Sequence, residues 1–329
     1  MSNKPMRTTT SNAEPLDLII VGGGPAGMSA ALVAGRAMLR TVIVNEEDPR
    51  NRVTTASHGF LTRDGVHPSE LLAVAKEQLA GYDSVQYLRD KVVKVRRTED
   101  GDFRADLFDG ETLTAKRIVI ATGYRDDLSE LGLVGVEDVY GRSVYPCVFC
   151  DGFEQRHKSL AVFDSQATGF YTPMVRLWSD DVVMFTNGTP MKPEQRRELE
   201  SRGVGVVEDS IARLISEAGV LRAVELQSGT LVEREAGFIS DDYSRPTTTF
   251  AQDLGVNTKV NDWGMTVLDA DDTGKTNVKG VYVVGDARIG FAGLIAAATE
   301  GAYCVENIVH EVANERWTTS QQSTPEPIH

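Results

Sequence analysis

The stretch LDLIIVGGGPAGMSAALVAGRA, residues 16–37, constrains the fold of this chain more than any other. Its apolar run, Leu16 to Val21, reads as a buried strand stopped by glycine, and the small residues that follow read as a helix. Gly22, Gly24 and Gly27 fall on G-x-G-x-x-G between the two, the context that gives this pattern meaning. The first glycine makes the tight turn. The second lets backbone approach a pyrophosphate at the helix N-terminus, and the third lets helix pack on strand. Pro25 and Ala26 complete the expected cofactor-binding turn. The next strand, Thr41 to Val44, arrives in order and ends at Asn45 and Glu46, where a ribose hydroxyl is commonly held. An amide can bond that hydroxyl as well as an acid can.

Two later stretches agree. AKRIVIATGYR runs a strand into Ala121-Thr122-Gly123, and VKGVYVVGDARIG runs a strand into Gly285-Asp286. Together with the first motif they resemble the FAD-binding set of the two-dinucleotide-binding flavoproteins. That resemblance implies an ATG turn lying against FAD and a GD aspartate on its ribityl-phosphate region.

At 329 residues the chain is long for one domain, and two is the expectation. A hydrophobic share of 41% with 25% charged residues describes a chain able to bury a sizeable core. The net charge of −14 argues against nucleic acid or anionic membrane as partner. No apolar run is long enough to cross a bilayer, and the polar start lacks the apolar stretch of a secretory signal, so a cytoplasmic setting is expected. Residues 1–15 and the tail TTSQQSTPEPIH offer little to bury and are expected to be unstructured, with Trp317 just before the tail as a docking residue.

In VYPCVFCDGFE, Cys147 and Cys150 stand two residues apart and Asp151 follows. A zinc site would draw on His157 and on Cys304, the third cysteine, but no second ligand pair has zinc spacing. A structural disulfide suits a reducing compartment poorly. A working dithiol has a mechanism, because a helix start stabilises a thiolate and a neighbouring thiol closes the disulfide quickly. Cys304, in an apolar helical stretch, reads as an inert core residue.

With the cysteine pair added, the chain resembles the low-molecular-weight thioredoxin reductase group over residues 16–310. The resemblance implies an α/β fold of two Rossmann-like dinucleotide-binding domains, of the three-layer ββα/βαβ type. Residues 1–126 and 246–329 would form a discontinuous FAD domain, and 127–245 a central domain that carries the CxxC and normally binds NADPH. It also implies a homodimer, with Asn51, His58 and Val92 among the FAD-binding residues. Cys150 would exchange electrons with the flavin, Cys147 would attack the partner disulfide, and Asp151 would handle the proton. The segments EEDPRN and HGFLTRDG resemble the branch containing the gliotoxin- and holomycin-type dithiol oxidases. That branch commonly has histidine after its second cysteine, so Asp151 is closer to thioredoxin reductase.

The second half departs from that pattern. SLAVFDSQATGFYTPMVRLW and the following DVVMF look like a degraded copy of residues 16–44, with a strand at Leu160 to Phe163, a loop and a helix. Aligned on the strand, Asp164 and Gln166 replace the first two glycines of the family's G-x-G-x-x-A. Gln166 puts a side chain where backbone must approach a pyrophosphate. Asp164 adds a negative charge that costs roughly 1–4 kcal/mol against a phosphate about 4 Å away. The stretch MFTNGT lacks the arginine pair that grips a 2′-phosphate, and Ala292-Gly293-Leu294 replaces the Arg-Gln-Ala that encloses the flavin edge.

The leading expectation is therefore an FAD-dependent disulfide oxidoreductase acting on a protein or small-molecule disulfide, with NADPH doubtful as its partner. A second flavin or a ferredoxin-like carrier would take that place. Phe149, Phe170 and Tyr171 offer stacking surfaces for a second flavin, while the net negative charge opposes an acidic carrier. The alternatives are an NADPH-dependent thioredoxin reductase or dithiol oxidase with an unusual site, and a non-turnover flavoprotein redox sensor.

Overall fold

The structure is a computed structural model that describes residues 14–247 and 249–322. It divides into two compact units. The first comprises the chain through Pro49, Ser69–Tyr124, and the chain from Pro246 on; the second comprises Arg50–Pro68 and Arg125–Arg245. The segment 50–68, expected with the first domain, has its contacts within the second unit.

In the first unit a parallel sheet runs in the order Val281–Val283, Ile118–Ile120, Leu18–Val21, Thr41–Val44, Val85–Leu88. The central strand reads Leu-Ile-Ile-Val and is buried throughout, as a parallel strand covered on both faces must be. An antiparallel sheet of Val92–Arg97, Phe103–Leu107 and Thr112–Ala115 accompanies it. The helix Pro25–Arg36 buries a face of small residues that includes Ala30, Ala31 and Ala34. Small residues permit close approach. A Cβ on Gly301 of the closing helix would stand 1.9 Å from the Ala26 carbonyl oxygen.

The second unit repeats the plan. Its parallel sheet runs Val144–Tyr145, Ala236–Ile239, Leu160–Phe163, Val182–Phe185, Val204–Val207, and its last four strands match four of the first sheet in order. An antiparallel sheet of Ile211–Glu217, Val220–Leu226 and Leu231–Glu233 again accompanies it. The duplication read faintly in the sequence thus holds for four strands and breaks at the edge, where Val144–Tyr145 comes first of its sheet in the chain while Val281–Val283 comes last of its own. One piece has shrunk: the helix after the second turn is the single turn Thr172–Val175.

The closing helix, Gly293–Gln322, runs through Thr318, which polarity had assigned to the tail. Thr318 donates from its hydroxyl to the Asn314 carbonyl at 2.9 Å, and no glycine or proline stops the helix before Gln322. Residues 1–13 and 323–329, the rest of the expected unstructured ends, lie outside the described residues. Among the described residues no helix is long and apolar enough to cross a membrane.

Candidate functional site

In the first unit three turns converge. Gly22 has φ +104°, and a Cβ there would stand 2.3 Å from the Ala121 carbonyl oxygen, so the glycine turn and the Ala121-Thr122-Gly123 turn touch backbone to backbone. A Cβ on Gly27 would stand 1.9 Å from the Gly22 oxygen. Gly285, at φ +69°, brings the third turn to 3.0 Å from the Ala26 side chain, and Gly123 lies 3.9 Å from Asp286 by the same measure. Asp286 accepts the Ala292 amide at 2.9 Å, and Glu300 accepts the Gly285 amide at 2.8 Å.

Gly24 differs from its neighbours. Among the described residues nothing lies within 4 Å of a Cβ placed there. It caps the helix Pro25–Arg36 with no side-chain hydrogen bond, and no acidic residue occupies the first turn. Open space beside an uncapped helix N-terminus fits the pyrophosphate of a dinucleotide.

Around this turn the side chains are tied down. Asn45 donates to the Tyr87 hydroxyl at 2.9 Å, and Glu46 pairs with Lys91 at 3.1 Å. Glu47, which the sequence did not single out, takes Lys76, the Tyr87 hydroxyl at 2.9 Å and Arg89 at 3.2 Å. The bonded Lys76 ammonium holds its carboxyl below the usual range. Val92 is buried in the core at the start of the antiparallel sheet. Asn51 and His58, expected on the same cofactor, belong to the second unit.

In the second unit Cys147 and Cys150 form a disulfide with Cα atoms 5.3 Å apart. Cys147 caps the short helix Val148–Asp151, and its sulfur accepts the Cys150 amide at 3.2 Å. Cys147 is buried while Cys150 is partly exposed. Tyr171 bridges the approach to this helix. Its hydroxyl accepts the Val148 amide at 2.9 Å and donates to the Pro146 carbonyl at 3.2 Å. Burial pushes the Asp151 carboxyl up to about 7, with His58 opposing the rise and Glu154 adding to it. His58 sits with Nε2 3.8 Å from Glu154 and Nδ1 3.5 Å from Asp64. Phe149, between the cysteines, is exposed and meets Trp178 edge to face at 6.2 Å. Cys304 is buried, which pushes its thiol well above its ordinary range. Among the described residues no cluster of three His, Cys, Asp or Glu could hold a metal.

The second turn is filled from within. Asp164, 2% exposed, accepts the Thr168 amide at 3.3 Å, the Thr168 hydroxyl at 2.9 Å and the Gly169 amide at 2.9 Å. Asp241 accepts the Ser165 amide and hydroxyl, each at 2.8 Å. Beyond the next strand, Glu208 accepts the Met191 amide at 2.8 Å and binds Arg196 at 3.0 Å. Asp241, Glu208 and Tyr171 were not singled out for these roles. One signal existed for Asp241: strand pairing sets Ile120 beside Val21 and Ile239 beside Phe163, so Asp241 occupies the repeat's counterpart of Thr122.

Comparison with known proteins agrees with this architecture. The family described as pyridine nucleotide-disulphide oxidoreductase matches residues 16–167. TrxB from Bacillus anthracis, named as a thioredoxin reductase, is 33% identical, with a TM-score of 0.85 over 92% of this chain and 99% of its own. HlmI is 32% identical, with a TM-score of 0.85 over 94% and 96%. A protein of Arthroderma benhamiae, also named as a thioredoxin reductase, is 29% identical over 83% of this chain and 74% of its own. The chain belongs to the pyridine nucleotide-disulphide oxidoreductase family and is, within it, a thioredoxin reductase-like FAD oxidoreductase.

Proposed function

We propose that this protein exchanges electrons between FAD and the Cys147–Cys150 pair, and that its other redox partner is not NADPH. One observation carries the second half: the backbone amides after the strand Leu160–Phe163 are already bonded by the Asp164 and Asp241 carboxylates. A pyrophosphate would have to displace two carboxylates from amides they already bond. Like charges at about 4 Å cost roughly 1–4 kcal/mol, about a fivefold to several-hundredfold loss of affinity. Residues Thr186–Pro190 contain no arginine for a 2′-phosphate, and Arg196 is already paired with Glu200 and Glu208.

In this reading Gly24 and the helix behind it hold the FAD pyrophosphate, with Pro25, Ala26, Gly22 and Gly27 shaping the turn. Ala121, Thr122, Gly123, Gly285 and Asp286 line its path, and Asn45 and Glu46 lie where the ribose would be bound. FAD, when bound, supplies two-electron exchange with the dithiol. Cys150, the more exposed cysteine, serves the flavin side, and Cys147 serves the disulfide or dithiol substrate. Asp151, holding its proton near neutral pH, protonates the thiolate that leaves.

The other redox partner is a second flavin or a small redox carrier. Phe149 and Phe170 are exposed and suit a stacked ring, whereas the Tyr171 hydroxyl is committed to the cysteine helix. A homodimer in the cytoplasm completes the proposal.

Anaerobic stopped-flow mixing tests it. Dithionite should bleach the flavin readily and NADPH should do so slowly or not at all, while the Cys147→Ser and Cys150→Ser proteins keep FAD and lose disulfide exchange. Flavin reduction by NADPH at turnover rates, roughly 1 to 1,000 per second, would overturn the assignment of the second turn.

A further inference from the structure

His58 was expected to touch the cofactor. It lies in the segment 50–68 of the second unit, where it faces Glu154, three residues beyond the end of the cysteine helix. We propose that His58 is the second member of an acid–base couple serving Cys147 and Cys150, exchanging with water the proton that Asp151 gives and takes. The inference rests on the dithiol reading above.

The geometry places each part. Asp151 closes the helix that Cys147 caps, so the carboxyl and the disulfide share one helical turn. Glu154 follows three residues later, and its carboxylate stands 3.8 Å from His58 Nε2. Asp64 stands 3.5 Å from Nδ1 and leaves the ring held between two carboxylates. The His58 side chain is 19% exposed, enough to meet water at its edge. The groups facing Asp151 are Glu154 on its own segment, His58 from 50–68, Tyr145 from the neighbouring strand and Tyr171 from the loop after the second turn. Of these, His58 alone is cationic when protonated. Its charge favours the Asp151 carboxylate, against the burial that favours the neutral acid.

Thiol–disulfide exchange breaks one S–S bond and forms another. As Cys147 and Cys150 close to a disulfide they lose two protons, and the two sulfurs of the opened substrate disulfide gain two. No outside oxidant or reductant enters that step. Asp151, uncharged, gives its proton to the expelled substrate thiolate, while the cysteine thiol that completes the new disulfide gives its own to water. Between turnovers His58 returns a proton from water to Asp151, because an imidazole ring can both take and give one.

The test counts thiols directly on the FAD-loaded protein. Dithiothreitol reduces the Cys147–Cys150 disulfide, and free thiols are titrated after acid quenching, across pH, for wild type, His58→Gln and His58→Ala. Each variant should react about tenfold more slowly at neutral pH, below the effect typical of a direct general acid. Added imidazole should restore His58→Ala, and the infrared carboxyl band of Asp151 should persist to higher pH in His58→Gln. Variants that match wild type in rate and in band midpoint overturn the inference. So do slow variants that imidazole does not rescue and whose Asp151 band does not move, because that pattern belongs to a merely structural histidine. A wild-type protein that gains no thiols sinks the dithiol reading itself, which separates the two failures.

Discussion

After the strand Leu18–Val21 the chain turns over residues 22–24 into a helix that runs to Arg36. After Leu160–Phe163 it needs residues 164–171 to reach a helix that ends at Val175. Both strands sit at the centre of five-stranded parallel sheets whose orders match in all but one edge strand. The difference lies in who bonds the backbone amides. In the first turn nothing approaches the Gly24 position and no side chain caps the helix. In the second, Asp164 and Asp241 supply the acceptors that a dinucleotide would otherwise bring. A turn can keep its strand and lose its ligand when the protein's own carboxylates satisfy the same donors.

The largest break in that comparison comes from putting a carboxylate in the first turn as well. Gly24→Asp meets open space, so the fold should survive while FAD affinity falls by about a hundredfold or more. Circular dichroism of a folded, colourless protein is the expected outcome. A yellow Gly24→Asp protein would show that the first turn does not carry the pyrophosphate.

Removing the carboxylate from the second turn comes next. Asp164→Ala removes a side chain that is itself 2% exposed and leaves the part-buried Thr168 and Gly169 amides without their acceptor. The expected loss is about 2–4 kcal/mol, read from urea unfolding of the second unit. Asp164→Asn keeps one acceptor oxygen and should lose less. Equal losses would mean that the charge, and not the hydrogen bonds, holds the loop.

A smaller effect separates the cysteine helix from both turns. The Asp151 carboxyl is raised to about 7, whereas in the unfolded chain it titrates near 4. The folded state therefore holds a proton that the unfolded state has lost across that interval. This contribution to stability is fully present below about pH 4, falls as pH rises toward 7, and is flat above. Asp151→Asn should remove that slope and be more stable than wild type at pH 8 by about 1–3 kcal/mol. Urea midpoints at pH 5 and pH 8 decide it: an unchanged slope in the variant would place the titration elsewhere.

These residues were not equally legible. Gly22 and Gly27 announce themselves because backbone stands where their side chains would be, and Gly24 does so through the spacing of the motif it completes. Asp164 was legible for the same reason, as a charge standing where glycine belongs. Asp241, Glu208 and Tyr171 act on backbone amides of segments far from them in the chain, and such bonds leave no periodicity to read. His58 was legible as a candidate site residue, but its place beside Glu154 was not. The contacts that gather 50–68 with the cysteine helix are tertiary, and no spacing within HGFLTRDG encodes them. The end of the closing helix was misread because polarity marked a tail where nothing breaks a helix.

The smallest expected effect belongs to Tyr171, and it bears most directly on what the second turn now does. The residue follows Phe170 at the end of the lengthened loop, and its hydroxyl joins the Pro146 carbonyl to the Val148 amide on either side of Cys147. The loop after the second turn is thereby tied to the start of the cysteine helix. Tyr171→Phe keeps the ring and removes the two hydrogen bonds, one of them to a buried residue, for an expected loss of about 1 kcal/mol. Global unfolding should barely register it. Hydrogen exchange should register it locally, as faster exchange at the Val148 and Cys150 amides with the rest of the second unit unchanged. Exchange that quickens throughout the unit would make Tyr171 a general packing residue, and the two turns would then differ in ligand alone.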